Sequence, residues 1–354
     1  MKASIYTTKI LRVIDQAIIT EWKNLWENAE NANLYNSYEW FATCLDTKIV
    51  KEYEIHVCYK KDKLVALLPL QQYKVFGVHV WGTVNKDHLV DTAFLTESYD
   101  KNLLKYFFNE IFNARNIYLQ KVDKNATDLL HNLYPKLFIT LMSVNPVVNL
   151  KKDPLEILSS SNRYQIRKLM RNNEGKIQFK SYDSDLEKPL ETLFTLQKKS
   201  SKNARSIDIF ENESTKKYYQ SLIKNCREFI RINFIYFEKT PIAYELGCLY
   251  KQRYAGDQIS FLNEYKKLSP GKLMMYHLFA NLREKGVSEL DMGGGISNYK
   301  MSFTQDYRML YNIFYSKNIF FLLWWRSINK MRRVKQMLFP KKFTRDHEFL
   351  FKTI

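Results

Sequence analysis

Apolar and polar positions along the chain keep two different periods in turn. Trp22, Leu25, Trp26 and Ala29 recur at i, i+3, i+4 and i+7 behind Thr20, which predicts an amphipathic helix with Thr20 as its cap. A second short helix is expected after Ser37. The segment EIHVCYKKDKLVALLPL then sets two apolar runs, Ile55 to Tyr59 and Leu64 to Leu70, around the polar turn Lys60 to Lys63. That pattern predicts a strand, a tight connection and a strand. Leu103, Phe107 and Ile111, with Leu104 and Phe108 beside them, form a helical stripe that leads into a strand over Asn116 to Val122.

The same order returns in the second half. FIRINFIYFEKTPIAYELGCLY predicts a hairpin turning at Glu238 to Pro241, followed by a third strand over Tyr254 to Leu262. Met274, Leu278 and Leu282 make the helical stripe, Gly286 ends that helix, and Val287 to Met292 reads as a short strand. Two α/β lobes of similar plan are therefore expected. Pro146, Pro154 and a Ser/Asn cluster place their boundary near residue 150, giving lobes over 1–150 and 151–317. Ser161 or Asn162 is expected to cap a helix on which Arg163, Arg167 and Arg171 share one face, with Lys168 beside them. Such a stripe suits phosphate groups, and it equally describes a solvated basic face.

The third segment, 318–354, is unlike the rest. Trp324, Ile328, Met331, Val334 and Leu338 keep helical spacing, with Arg326, Lys330, Arg333 and Lys335 between them. A basic amphipathic helix of this kind lies in a membrane interface or docks on a protein core. Over the whole chain 55 Lys and Arg stand against 37 Asp and Glu, a net charge of +18, and 318–354 alone supply +7 from nine basic and two acidic residues. Anionic lipid and phosphate-bearing partners become the first candidates, whereas a general nucleic-acid surface does not follow. The N-terminus shows no signal-peptide pattern, and no 18 consecutive apolar residues occur, so a cytoplasmic protein is expected, peripheral to the inner face of the membrane if the tail binds there. Cys44, Cys58, Cys226 and Cys248 match no zinc-ligand spacing and are expected to be reduced; the six histidines form no metal pair either. His277, one position off its helix's stripe, either faces the site or is a satisfied boundary residue, the second being the expectation.

Candidate chemistry concentrates between Tyr254 and Phe303. Ser269, Pro270 and Gly271 sit where strand pattern gives way to helix: Ser is a favoured cap, Pro fits the first turn and Gly admits close approach to the backbone. Unpaired amides at such a helix start hold phosphate, although Ser-Pro also begins many ordinary helices. Downstream, GGGIS at 293–297 lacks the spacing of a nucleotide-binding loop and reads as a turn.

The succession Ser269-Pro270-Gly271, a helix, Gly286, Asp291-Met292-Gly293-Gly294-Gly295 and Tyr299-Lys300 resembles the GNAT-superfamily acetyltransferases related to the FemAB peptidyltransferases, the type found in cellulose and exopolysaccharide biosynthesis. Glu39-Trp40, the LLPL end of the first hairpin, the helix from Arg163 and Pro241-Ile242-Ala243 add to the likeness, which covers roughly residues 20 to 315. The resemblance implies two tandem GNAT-like lobes, each a mixed, mostly antiparallel sheet flanked by helices. It implies that the second lobe takes acetyl-CoA or another acyl-CoA, without a metal. The amides at Gly271, Lys272 and Leu273 would hold the pyrophosphate, and the strand ending near Leu262 would pair with the pantetheine arm. One departure stands out: the ordinary pyrophosphate loop, Q/R-x-x-G-x-G/A, is represented by Gly271 alone.

In this chemistry the acceptor attacks the thioester directly, so the protein orients both substrates, moves a proton and stabilises an oxyanion. Lys300 is the first candidate for oxyanion or phosphate contact, with Tyr299 beside it as a further catalytic candidate. Asp257 and Glu264, with Glu245 on the preceding strand, are candidate bases. Asp291 either braces the glycine turn or touches substrate, and Arg163 and Arg167 are candidates for a phosphorylated substrate. The leading expectation is an acyl-CoA-dependent acyltransferase, an N-acetyltransferase acting on an amino sugar or another small or lipid-linked cell-envelope precursor. The alternatives are a FemAB-like transferase using aminoacyl-tRNA, and a non-catalytic basic protein that binds anionic lipid or nucleic acid.

Overall fold

The computed structural model describes residues 5–75, 77–85, 88–113, 115–200 and 209–338. Two compact units divide the chain: residues up to Val144 together with those from Arg308 onward, and Asn145–Tyr307. The first begins with β1 (Tyr6–Leu11), α1 (Gln16–Asn28) and α2 (Tyr38–Asp46). It continues with β2 (Tyr53–Lys60), β3 (Lys63–Val75), β4 (Val78–Thr83), β5 (Leu95–Thr96), α3 (Lys101–Phe112), β6 (Ile117–Asp123), α4 (Lys124–Leu133) and β7 (Phe138–Asn149). The second holds α5 (Pro154–Ile157), α6 (Ser160–Asn172), β8 (Ile177–Tyr182), α7 (Glu187–Lys198), α8 (Glu213–Asn225), β9 (Ile230–Phe237) and β10 (Thr240–Tyr250). It then runs through β11 (Arg253–Phe261), α9 (Pro270–Glu284), β12 (Glu289–Asp291) and α10 (Asn298–Met301). The strand β13 (Tyr307–Tyr315) and helix α11 (Ile319–Leu338) follow.

Both units are mixed, mostly antiparallel sheets flanked by helices, and both follow one plan. In each, an antiparallel ladder of three strands (β2–β3–β4, β9–β10–β11) ends in a parallel pair reached through a helix: β4 with β6 after α3, and β11 with β12 after α9. The predicted stripes are the faces that hold these helices down. Leu103, Leu104, Phe107, Phe108 and Ile111 are buried in the first unit with Val65, Leu68 and Ile117. Met274, Leu278 and Leu282 are buried in the second, where Leu278 and Leu282 meet Tyr254 and Leu290. Truncating one such phenylalanine to alanine typically costs about 3–5 kcal/mol.

Unit boundaries depart from the expected 150 and 317. The strand 307–315 pairs antiparallel with β6, from Leu310↔Asp123 to Tyr315↔Ile117, so it completes the first unit's sheet. Conversely, residues 147–149 of β7 pair with β12 in the second. The described part of α11 likewise belongs with the first unit; residues 339–354, and the side chains of 332–338, lie outside what is described. Caps also differ from expectation. Asp15, not Thr20, caps α1 by accepting from the Ile18 N–H at 2.9 Å, and Ser159 rather than Ser161 or Asn162 caps α6. Ser37 caps α2 as expected. All four cysteines are buried thiols outside any disulfide.

Candidate active site

β11 and β12 pair in parallel over only three residues, Arg253↔Glu289 to Ala255↔Asp291. Beyond them β11 continues to Phe261 while the chain after Asp291 turns away, so the sheet parts. Opposite β10 the register also slips at this point: Leu246 faces Gln258 but Gly247 faces Gly256, leaving Asp257 as the extra residue of a bulge. Bulges re-aim side chains and are common beside active sites. Glycines make the parting possible. A Cβ on Gly247 would lie 2.6 Å from the Tyr254 ring, and Gly293, at φ +74°, would place one 3.0 Å from the Gly256 carbonyl. A cavity of about 50 Å³ opens in the gap, lined by Glu245, Gly256, Asp257, Met275, Tyr299 and Lys300 among others.

Glu245 is the most distinctive group in it. Its side chain is buried, and Oε2 accepts from the Tyr254 hydroxyl at 2.6 Å and from Asn233 Nδ2 at 2.7 Å, while Asn233 also donates to Tyr254 at 3.1 Å. Oε1 is buried with no hydrogen-bond partner among the described residues. Burial pushes the carboxyl up to about 8, helped by the nearby Asp257 charge and opposed by the Tyr254 and Asn233 hydrogen bonds. The result is a mostly neutral carboxyl at pH 7, one oxygen held and the other unpartnered, on a residue that lines the cavity.

The other expected residues take varied places. Asp257 lines the cavity, with Oδ2 accepting from the Tyr219 hydroxyl of α8 at 2.7 Å. Lys300 lines it too, but Nζ donates to the Gly293 and Gly294 carbonyls at 3.0 and 2.8 Å, so its charge closes the glycine turn. Tyr299 donates its hydroxyl to the Gly271 carbonyl at 2.9 Å, tying this turn to the start of α9, and burial holds its phenol well above the ordinary range. Asp291 braces the turn: Oδ1 accepts from the Gly293 N–H at 2.8 Å and Oδ2 from Asn145 at 3.3 Å. Both its oxygens are thus engaged in the turn, the bracing role that is one of its two expected roles. Glu264 is exposed in the turn before α9 and does not line the cavity, because the chain has already left β11.

Ser269 does not cap α9 with its side chain. It adopts a left-handed φ of 48°, and its hydroxyl accepts from Gln165 Nε2 at 3.0 Å while Gln165 Oε1 accepts from Lys272 Nζ at 2.7 Å. Pro270 has no N–H, and the Lys272 and Leu273 amides already donate to the Ser269 carbonyl at 2.9 and 3.2 Å. Only the Gly271 amide lacks a partner there among the described residues, so the expected three-amide cradle reduces to one amide plus Lys272. Gln165 makes α6 a support of this turn. Arg163 and Arg167, two residues away on either side of Gln165, lie about 160° around the helix from it and so do not converge on Ser269. His277 stacks on Phe179 with centroids 5.7 Å apart, but its buried Nε2 has no hydrogen-bond partner among the described residues, so it is not the satisfied boundary residue expected.

Residues 160–301 match the acetyltransferase (GNAT) domain family. The second unit is a GNAT acyltransferase domain. Domains of this family generally use acyl-CoA, and the cavity where β11 and β12 part is the GNAT domain's candidate active site. No curated protein matches the chain by sequence. Among solved structures, FemX is similar over 88% of this chain and 98% of its own, at 11% identity and a TM-score of 0.65. A conserved protein of unknown function from Bacteroides thetaiotaomicron covers 88% of this chain and 100% of its own, at 9% identity and a TM-score of 0.56. L-PGS from Bacillus licheniformis covers 73% and 84%, at 14% identity and a TM-score of 0.51. At these identities the likeness is one of fold, and it takes in the first unit as well as the GNAT domain. Asn233 and Tyr254, which hold Glu245, carry no sequence signal of their own; only the register of β9, β10 and β11 brings the three together.

Proposed function

We propose that the GNAT domain moves an acyl group, in the first instance acetyl, from CoA directly to an amine, with Glu245 as the proton carrier. The observation that supports this most is the unpartnered, buried Oε1 of Glu245 on the cavity where β11 and β12 separate. With an ionisation near 8, the carboxylate is basic enough to deprotonate the acceptor's ammonium before attack, or to take the proton of the neutral amine as it attacks, close to the range in which general bases work best. As the C–N bond forms and the C–S bond breaks, the thiolate leaves; an ordinary thiol ionises at about 8.5, so the protonated Glu245 can return the proton to it. The unpaired edge of β11 beyond Ala255 suits the amides of a pantetheine arm, and the Gly271 amide with Lys272 suits its phosphates. The acceptor we assign is an amino sugar or another amine-bearing cell-envelope precursor.

Calorimetric titration with acetyl-CoA tests donor binding, and thiol release on addition of glucosamine tests transfer. Glu245→Gln should keep donor binding and lose transfer about a hundredfold or more. Failure of every acyl-CoA to bind, or full transfer by Glu245→Gln, refutes the reading. An aminoacyl-tRNA donor is the second reading, supported by the exposed Arg167, Lys168 and Arg171 of α6, which make no ion pair among the described residues. Transfer from charged tRNA with no response to acyl-CoA would select it.

A further inference from the structure

Helix α11 has two apolar faces, and the first unit uses one. Leu322 is buried, and Phe321 and Trp325 pack on Phe314 of β13 with ring centroids 5.6 and 4.3 Å apart; Trp325 also meets Tyr118 of β6 at 5.2 Å. Arg326 belongs to this anchored side, its guanidinium 5.5 Å from the Phe138 ring centroid. On the opposite side Ile319, Phe320, Leu323 and Met331 are 53%, 80%, 49% and 63% exposed. Helical geometry sets these four within an arc of about 120°, along about 18 Å of axis. The exposed Lys330 falls at the same arc.

We infer that this outer face of α11 docks on an anionic lipid bilayer. Its charge selects that occupant. No Asp or Glu occurs anywhere between Asp306 and Asp346, while that stretch carries Lys or Arg at ten positions, including 326, 330 and 332. A second copy of the chain would bring two acid-free basic helices face to face, which like charges disfavour. An anionic surface instead takes the apolar side chains into the acyl boundary while Lys330 reaches the phosphates along its own apolar stem. No helix among the described residues is long and apolar enough to cross a membrane, so α11 lies in the plane of the surface.

Sedimentation of the full chain with vesicles tests this. Vesicles of equal parts phosphatidylglycerol and phosphatidylcholine should bind the chain, pure phosphatidylcholine much less, and salt should weaken the anionic case. Phe320→Ser with Leu323→Ser, both exposed, should leave the melting temperature unchanged and weaken binding roughly tenfold or more. Equal binding by that double variant, no binding to either vesicle, or a dimer in light scattering that the double variant abolishes would each overturn the proposal. Acetyl-CoA titration of the same variant reads the active site separately, so the two readings fail independently.

Discussion

Replacing Glu245 by Gln removes a titrating group from a buried site without changing its shape. The Gln carbonyl can still accept from Tyr254 and Asn233, and the amide nitrogen takes the place of the unpartnered Oε1. A buried carboxyl that ionises near 4.5 in the unfolded chain and at about 8 in the fold leaves stability intact below 4.5. As pH rises the unfolded chain ionises first, so stability falls across the interval, and the loss is complete above the folded value. At 1.36 kcal/mol per pH unit, the whole interval is worth about 5 kcal/mol, and the part between pH 5 and 9 about 4 kcal/mol. Urea unfolding of wild type and Glu245→Gln across that range measures it. The variant's unpaired amide costs about 1–3 kcal/mol at every pH, so it shifts the curve without tilting it. Expected is a wild-type stability that declines with pH relative to the variant by up to about 4 kcal/mol. Parallel curves would mean that Glu245 is ionised in the fold at neutral pH and would remove the basis for its assigned role.

Gly247→Ala forces the Tyr254 ring away from a Cβ only 2.6 Å distant, and should destabilise the protein by about 2–3 kcal/mol in urea while lowering transfer through the loss of the Tyr254–Glu245 bond. Lys300→Met uncovers the Gly293 and Gly294 carbonyls and should cost about 1–2 kcal/mol; unchanged stability with transfer abolished would move Lys300 from the turn to the chemistry. In the first unit, the buried Glu54 holds Arg12 at 2.8 Å and also pairs with Arg115, whose guanidinium lies 5.2 Å from the Trp81 ring centroid. Glu54→Leu should lower stability by about 3 kcal/mol by stranding Arg115, measured as a lower urea midpoint with an unchanged m-value.

Much of the fold was legible because hairpins and amphipathic helices write their period into the chain. The runs Ile55–Tyr59 and Leu64–Leu70 fall inside β2 and β3, and the Met274, Leu278 and Leu282 stripe is the buried face of α9. What period cannot write is the partner. Nothing in the alternation of 307–315 says that it will pair with β6, so the lobe boundaries could not be placed from composition alone. The same limit hid the active site. Glu245, Asp257 and Glu264 were three acidic residues on or near strands; only register, the bulge at Asp257 and the buried Asn233–Tyr254 pair separate them. Ser269-Pro270-Gly271 was found where expected but works differently, through a left-handed serine that Gln165 holds from another helix, a contact 104 residues distant in sequence.

The strand 307–315 also sets an order of assembly. The second unit is one unbroken stretch, whereas the first needs a strand made after all of the second has been synthesised. During translation, β6 must wait with one open edge for roughly 180 residues, and open edges invite the wrong partner. Chains truncated before β13 should therefore aggregate through their N-terminal unit, and a circular permutant that begins at about residue 308 would supply the missing strand first.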